Sequence, residues 1–223
     1  MHIVRFIHAG DGRIVAGLGA ALGIAVTGLL AGWLTGQGTT PLLIAPIGAS
    51  AVLVFAVPAS PLAQPWPVIG GNMLSALFAL LVVRLVPHEA AAAAIAVGGA
   101  IVLMALARCL HPPGGAVALG GVLLGHGGGP AGWSFPVVPV GLDSLLLVVA
   151  GVAFHRWSGH GYPHRPPPSP SESAFAPGDV DAALADMHET FDIARADLDA
   201  LLARAAHHAA LRRERSGRSS PLR

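Results

Sequence analysis

Residues 14–34, IVAGLGAALGIAVTGLLAGWL, form a run of 21 residues without a charged side chain. At about 1.5 Å per residue, a helix of this length crosses a hydrocarbon core of about 30 Å. Arg5 and Arg13 precede the run, and the run is longer than the apolar region of a signal peptide. The sequence therefore predicts a first membrane span here.

The composition of the whole chain agrees with this prediction. Of its 223 residues 53% are hydrophobic and 11% are charged, about half the charged fraction of an ordinary soluble domain. With 5% aromatic residues and no basic patch, the chain lacks the features of a nucleic-acid-binding protein. The single cysteine, Cys109, excludes an intramolecular disulfide and a cysteine-based zinc site. The histidines are scattered and no nucleotide-binding loop is present, so neither a metal nor a cofactor is expected.

Uncharged or nearly uncharged stretches recur along the chain, separated by short connections rich in glycine and proline. Four are long enough to span a membrane, whereas the second is interrupted by Pro46 and the fifth is short, so these two are candidate broken or half helices. We therefore predict an all-α membrane protein with about six transmembrane segments. The segments are residues 14–34, 41–57, 68–86, 90–107, 113–125 and 137–154.

The two short segments share the pattern P-x-G-A-x-A, which begins at Pro46 and again, 67 residues later, at Pro113. A second match at an offset of 69 pairs the run from Pro67 with the run from Pro136. These matches predict two repeats of three segments each. The repeats are inverted if all three segments cross the membrane, and parallel if the short segments re-enter on the same side.

Charge and composition also predict the topology and the domain organisation. Positive charge near the span ends places both termini in the cytoplasm, and the glycine-rich spans predict a homodimer or homotrimer. After a transmembrane domain at residues 1–157, the prolines of residues 158–177 predict an extended linker. Apolar stripes at helical spacing predict a cytoplasmic helical hairpin at residues 178–215 that needs a partner surface. The arginine-rich residues 216–223 are expected to be a disordered tail.

Each P-x-G-A segment is expected to begin a helix inside the membrane. Such a start presents free backbone N–H groups and the positive end of the helix dipole to an anion. Proline fits the first helical turn, and glycine lets a ligand approach the backbone closely. Asn72 and Ser75 share one face of the third segment, where they either bind substrate or cross-link helices. The candidate substrate-binding residues are Gly48, Ala49, Ser50, Asn72, Ser75, Arg108, His111, Pro112, Pro113, Gly114, Gly115 and Ala116.

Three residues are candidates for handling charge or protons within the membrane. His111 precedes two prolines that hold it on a non-helical corner, where it either caps carbonyl groups or lines a pathway and transfers protons. Asp143 is either a proton relay or part of an ion pair with Arg84 or Arg108, unless it lies nearer the interface. Arg84 either binds a ligand or extends to the membrane interface.

The run His111-Pro-Pro-Gly-Gly-Ala116 resembles the HPP family of integral membrane proteins. The family is named for the tripeptide His-Pro-Pro, which opens this run. Pro46-Ile-Gly-Ala-Ser-Ala51 and Val68-Ile-Gly-Gly71 are similar to the family as well, so the resemblance extends over residues 14–156. The hairpin region resembles the helical segment that precedes paired CBS regulatory domains in longer members. No stretch of the 223 residues resembles a CBS domain, so nucleotide regulation through that module is not implied.

The resemblance also implies a function, because members in plant chloroplasts are described as nitrite transporters. After Gln-Pro the family commonly has Arg-Asn, whereas this chain has Trp66-Pro67 and so lacks that cation. After Gly-Gly the family commonly has His, whereas this chain has Asn72 and so lacks that titratable group. The leading hypothesis is a transporter or channel, not an enzyme, for a small inorganic anion such as nitrite. The anion would bind between the two helix starts near the midplane of a bacterial inner membrane. The alternative is a membrane sensor or scaffold whose cytoplasmic helices recruit a partner.

Overall fold

The computed structural model describes residues 11–36, 43–127, 132–159, 161–165, 175–187 and 191–218. Every regular element in these ranges is a helix, which confirms the predicted all-α fold. The chain divides into two compact units, Met1–His164 and Arg165–Arg223. Residues 166–174 of the predicted linker and residues 219–223 of the predicted tail lie outside the described residues.

The first unit has the same order of helices in each half. A long helix is followed by a short helix and then by a third helix that is entered through a π-helical segment. The two π-helical segments, Pro67–Gly71 and Pro136–Gly141, begin 69 residues apart, which is the offset of the sequence repeat. The second is not continuous, because it is kinked at Val138, whose backbone is extended (φ −132°, ψ 115°). The helices are α1 (Asp11–Thr35), α2 (Ala45–Ala56) and α3 (Asn72–Leu85) in the first half, and α4 (Glu89–Leu106), α5 (Pro112–His126) and α6 (Leu142–Ser158) in the second.

Among the described residues, four helical segments are long and apolar enough to cross a membrane. The short helices have 12 and 15 residues, about 18 and 22 Å at 1.5 Å per residue, so the P-x-G-A segments are short as predicted. Large apolar side chains such as Leu18, Trp33 and Leu106 are exposed on this unit, which suits a surface in contact with lipid. The six-span layout stays a prediction. The four segments are Gly12–Thr35, Pro67–Leu85, Glu89–Leu106 and Pro136–Ser158.

The third helix of each half packs on the first two helices of the other half. Helix α3 packs on α4 and α5, and α6 packs on α1 and α2. Small side chains allow the close approach: Ala92, Ala96 and Ala100, spaced one turn apart on α4, are fully buried in a cluster with Ala118 and Val122 of α5. This exchange of third helices joins the two halves into one bundle.

The contacts of α5 with α3 fix its direction. A Cβ atom at Gly114, near the start of α5, would lie 2.8 Å from Ser75 Oγ, early in α3. A Cβ atom at Gly125, near the end of α5, would lie 2.7 Å from Val83 Cγ1, late in α3. Helix α5 therefore runs parallel to α3 along most of the length of α3.

Helix α2 runs in the opposite direction. Its Ser50 lies beside Asn72 at the start of α3. Ile44, which immediately precedes α2, packs on a cluster that includes Ala76 and Leu80, about one to two turns further along α3. Because α2 is antiparallel to α3 and α5 is parallel to it, the two short helices run antiparallel to each other. The inverted arrangement of the repeats stays a prediction.

The second unit contains α7 (Pro177–Met187) and α8 (Arg195–Arg218), in the region of the predicted hairpin. Arg195, the first residue of α8, donates hydrogen bonds to Asp181 of α7 and Asp199 of α8. These bonds raise the pKa of the Arg195 guanidinium. An apolar cavity of about 650 Å³ is lined by residues of both helices and of their flanks: Phe175, Val180, Leu184, Phe191, Ile193 and Leu198, among others.

Candidate functional site

The start of the second short helix meets the middle of the first inside the first unit. Helix α2 begins after Ile44 and α5 begins after His111, and neither of these preceding residues makes a side-chain capping hydrogen bond. Ser50 Oγ of α2 lies 2.8 Å from His111 Nε2, and both side chains are fully buried. The start of α5 therefore lies against the middle of α2, and convergence of the two helix starts stays a prediction.

Few backbone donors are free at these starts. The first two residues of α5 are prolines, which have no N–H, and the N–H of Gly114 donates to the His111 carbonyl over 2.8 Å. In α2, Pro46 has no N–H, and the N–H of Ile47 donates to the Ile44 carbonyl over 3.0 Å. The expected site therefore cannot depend mainly on backbone donors. The dipole of α5 and the buried side chains beside its start remain available to a ligand.

His111 links three parts of the chain through its two ring nitrogens. Nδ1 lies 2.8 Å from the Leu62 carbonyl oxygen, which can only accept, so Nδ1 carries a proton. In neutral imidazole Nε2 is then an acceptor, and the Ser50 hydroxyl donates to it. The Pro46 carbonyl lies 3.3 Å from Ser50 Oγ and is a second acceptor for that hydroxyl. If His111 gains a proton, Nε2 donates to Ser50 and the hydroxyl turns to Pro46, so no hydrogen bond is lost.

Asn72 extends these contacts to the other half of the molecule. Its Nδ2 donates to Ser144 Oγ of α6 over 3.0 Å and reaches Ser50 Oγ of α2 at 3.4 Å. We call Ser50, Asn72, His111 and Ser144 the polar network. All four side chains are fully buried, and they come from α2, α3, the start of α5 and α6. The Asn72 Oδ1 atom has no hydrogen-bond partner among the described residues.

Asp143 precedes Ser144 in α6, and its side chain is fully buried. Neither carboxyl oxygen has a hydrogen-bond partner within the described ranges. The backbone N–H of Ile44, just before α2, faces the carboxyl group without meeting the geometry of a hydrogen bond. The carboxyl group therefore lies at the start of the first short helix, where an anion was expected to bind.

The expected ion pair between Asp143 and Arg84 does not form. Arg84 lies exposed at the end of α3, where its Nη1 donates to the Leu80 carbonyl over 2.9 Å. Its guanidinium also lies 4.1 Å from the centre of the Trp133 ring, a favourable cation–π contact. Arg108, the other expected partner, is exposed at the corner between α4 and α5 with a backbone φ of +52°.

Glycines let the backbones approach closely around His111. A Cβ atom at Gly71 would lie 2.6 Å from the Cys109 carbonyl oxygen and 2.8 Å from His111 Cβ. A Cβ atom at Gly114 would lie 2.8 Å from Ser75 Oγ. Gly71 and Gly114 are therefore required by the packing that positions the polar network.

The other candidate residues occupy different environments. Ser75 is buried beside the polar network, but its hydroxyl contacts the Met104 sulfur at 3.5 Å. Pro113 is buried as well, whereas Gly115 is half-buried and a Cβ atom there would meet only Val97, at 4.0 Å. The exposed candidates are Gly48, Ala49, Pro112 and Ala116.

A group of hydrogen bonds outside the network holds the turn that contains Leu62. The Tyr162 hydroxyl donates to the Ala63 carbonyl over 2.9 Å, and burial raises the pKa of this phenol. The Gln64 side chain donates to the Ser60 carbonyl over 2.8 Å and accepts from the His164 N–H over 2.9 Å. These contacts fix the carbonyl that orients the His111 ring.

Sequence reasoning missed Ser144, Gly71 and the Leu62 carbonyl as parts of the site. Ser144 could have been found, because it is the equivalent of Ser75 at the repeat offset of 69. No local sequence signal marks the Leu62 carbonyl, because it meets His111 only through the packing of residues 49 positions apart.

The resemblance to the HPP family is confirmed by comparison with known proteins. Residues 8–163 match the family described as HPP, transmembrane region. The chain belongs to the HPP family. This HPP chain is also 39% identical over 120 residues and 36% identical over 145 residues to two proteins of Dictyostelium discoideum, each named as a transmembrane protein. The alignments cover 52% and 63% of the chain.

The HPP chain matches less than half of the length of these relatives, 42% and 46% respectively. No solved structure matches it. The family and the apolar helices together make the protein an integral membrane protein. The residues that carry the family tripeptide, at the start of α5, are also those that place His111 in the polar network.

Proposed function

We propose that this HPP protein carries a small monovalent inorganic anion across the membrane, with nitrite as the first candidate. The polar network supports this proposal, because it lies inside the first unit where the start of α5 meets α2. Buried polar groups inside a membrane are costly and commonly mark a substrate or ion pathway. The four side chains are sealed from solvent, so an anion reaches them only when helices move.

The chemistry of the network favours a single negative charge. Its donors are neutral: the hydroxyl groups of Ser50 and Ser144 and the amide of Asn72. Neither Arg84 nor Arg108 reaches the network. The start of α5 contributes the partial positive charge of one helix dipole, whereas a divalent anion needs arginine or lysine side chains to offset its larger desolvation cost. Nitrite fits these donors better than sulfate does.

Counterflow in proteoliposomes tests the proposal. Vesicles that contain the purified full chain and unlabelled nitrite are placed in isotopically labelled nitrite at equal pH on both sides. We expect uptake of label above that of protein-free vesicles, which measure the permeation of nitrous acid through lipid. Nitrate is expected to compete and sulfate is not. Uptake equal to that of protein-free vesicles would refute anion transport.

A pair of variants tests whether the network is the site. Ser50→Ala removes the hydroxyl that joins His111 to Asn72, so we expect counterflow to fall at least tenfold, a transition-state loss of about 1.4 kcal/mol. Thr27→Val is the matched control, because the Thr27 hydroxyl is also fully buried but lies on α1 without a hydrogen-bond partner in the described chain. Equal counterflow in the two variants would place the site elsewhere.

The apolar cavity of the second unit supports a second candidate function, a scaffold that recruits a partner protein. Its lining residues, including Val180, Leu184 and Leu198, suit an apolar helix of a partner. Removal of residues 166–223 separates the two functions. If the protein is a transporter, the truncated chain keeps the counterflow of the full chain. If it is only a scaffold, neither the full chain nor the truncated chain shows counterflow.

Assembly and location stay predictions. A homodimer or homotrimer is expected from the glycine-rich spans, and the measured mass of the protein in mild detergent tests it. Both termini are expected in the cytoplasm from the arginine distribution, and location in a bacterial inner membrane stays a separate prediction. Accessibility of a cysteine introduced at each terminus to an impermeant reagent tests the orientation.

A further inference from the structure

Anion binding does not explain why α6 carries a buried carboxyl group. We propose that Asp143 binds a proton and that one proton accompanies each anion through the protein. This inference rests on the proposed anion transport and adds a second substrate to it.

The surroundings of Asp143 favour its protonated form. The side chain is fully buried, and neither carboxyl oxygen has a hydrogen-bond partner in the described part of the chain. A buried carboxylate without a counter-ion is strongly destabilised and is neutralised by a proton. Asn72 Oδ1 is also a buried acceptor without a donor, so this part of the unit lacks donors rather than acceptors. A protonated carboxyl group supplies one.

The elements packed against α6 bring no described cation to the carboxyl group. Helix α2 and the two π-helical segments contain no titratable side chain, Arg13 on α1 is exposed, and Arg84 on α3 is held by Leu80 and Trp133. His111 is the titratable member of the polar network. The other titratable side chains on or beside α6 lie further along it, after its first three turns: His155, Arg156 and Tyr162.

The position of the carboxyl group links proton binding to anion binding. It faces the Ile44 N–H at the start of α2, so an ionised Asp143 places a negative charge where the helix dipole would attract the anion. Protonation removes that charge. The proton and the anion therefore increase each other's affinity, since linkage between two bound ligands is reciprocal. One proton with one monovalent anion makes the transport step electroneutral.

Proteoliposomes with a pH gradient test this inference. Vesicles with the full chain receive nitrite outside at a pH one unit below the internal pH, and the protein-free signal is subtracted. For a stoichiometry of one proton per anion, a gradient of one unit supports up to about tenfold accumulation of the anion. We also expect the initial rate of uptake to be insensitive to an imposed membrane potential.

Asp143→Asn keeps a neutral polar group but cannot exchange a proton. We expect counterflow at equal pH to persist in this variant, whereas accumulation driven by the pH gradient is lost and uptake becomes sensitive to membrane potential. Asp143→Glu, which retains a carboxyl group, is expected to keep the response to the gradient. Glu89→Gln is the matched control, because Glu89 is an exposed carboxylate at the start of α4.

The outcomes separate this inference from the proposed function. Wild-type protein without counterflow refutes anion transport itself. Wild-type protein with counterflow but no response to the pH gradient refutes proton coupling alone. Gradient-driven accumulation that persists in Asp143→Asn refutes the assignment to Asp143. Loss of counterflow in both Asp143 variants also overturns it, because the carboxyl group then serves folding or anion binding.

Discussion

Substitution of Gly71 by alanine tests whether close backbone packing positions His111. The added Cβ atom would lie 2.6 Å from the Cys109 carbonyl oxygen and 2.8 Å from His111 Cβ, about 1 Å inside the usual carbon separation of about 3.5–4.0 Å. A backbone carbonyl cannot rotate away as a side chain can, so the corner before α5 must shift. Overpacking of this kind costs about 1–3 kcal/mol. The shift also lengthens the bond between His111 and Ser50, so counterflow should fall.

Gly98→Ala is the matched control, because a Cβ atom there meets no atom within 4 Å and Gly98 lies inside α4. Alanine stabilises an unobstructed helical position by about 0.5–1 kcal/mol relative to glycine. Unfolding by SDS in mixed micelles, followed by the fluorescence of the four tryptophans, measures both variants. We expect midpoints that shift in opposite directions and normal counterflow in Gly98→Ala. Equal midpoints for the two variants would contradict the packing argument.

Two further predictions concern the same region. Gly114→Ala should lower the free energy of unfolding by about 1–3 kcal/mol relative to Gly115→Ala, because only the Cβ atom at 114 meets close neighbours; parallel unfolding curves at the same midpoint would disprove this. Tyr162→Phe should cost about 0.5–1.5 kcal/mol at neutral pH through loss of the bond to Ala63. Burial raises the pKa of Tyr162 in the folded protein. The contribution of its hydroxyl group to the free energy of unfolding is therefore complete below the unfolded-state pKa of about 10 and is lost as the pH rises further. An unfolding series from pH 8 to 11 should therefore show the difference between wild type and variant shrinking above about pH 10.

The sequence predicted the helices well for a physical reason. Long uncharged runs can remain in a bilayer only as helices, so length and composition alone define the four long spans. The matches that begin at Pro46, Pro67, Pro113 and Pro136 correspond to equivalent elements in the two halves. Periodicity did not predict the π-helical segments, because the wider turn arises from local packing rather than from the spacing of apolar residues.

The site was predicted in part. Ser50, Asn72 and His111 do meet, whereas Arg84 and Arg108 lie away from Asp143. The sequence had left open whether Asp143 pairs with an arginine. It does not pair with Arg84, because this long side chain at a helix end reaches a carbonyl and an aromatic ring instead.

The sequence by itself determined that the chain is helical, that it belongs in a membrane and that proline-started short helices occur twice. These properties follow from residues that are neighbours along the chain. Only the tertiary structure decided which polar groups meet, because Ser50 and His111 are 61 positions apart and Asn72 and Ser144 are 72 positions apart. Their contact depends on the exchange of third helices between the halves and on the absence of side chains at Gly71 and Gly114, and neither condition can be read from a local pattern of residues.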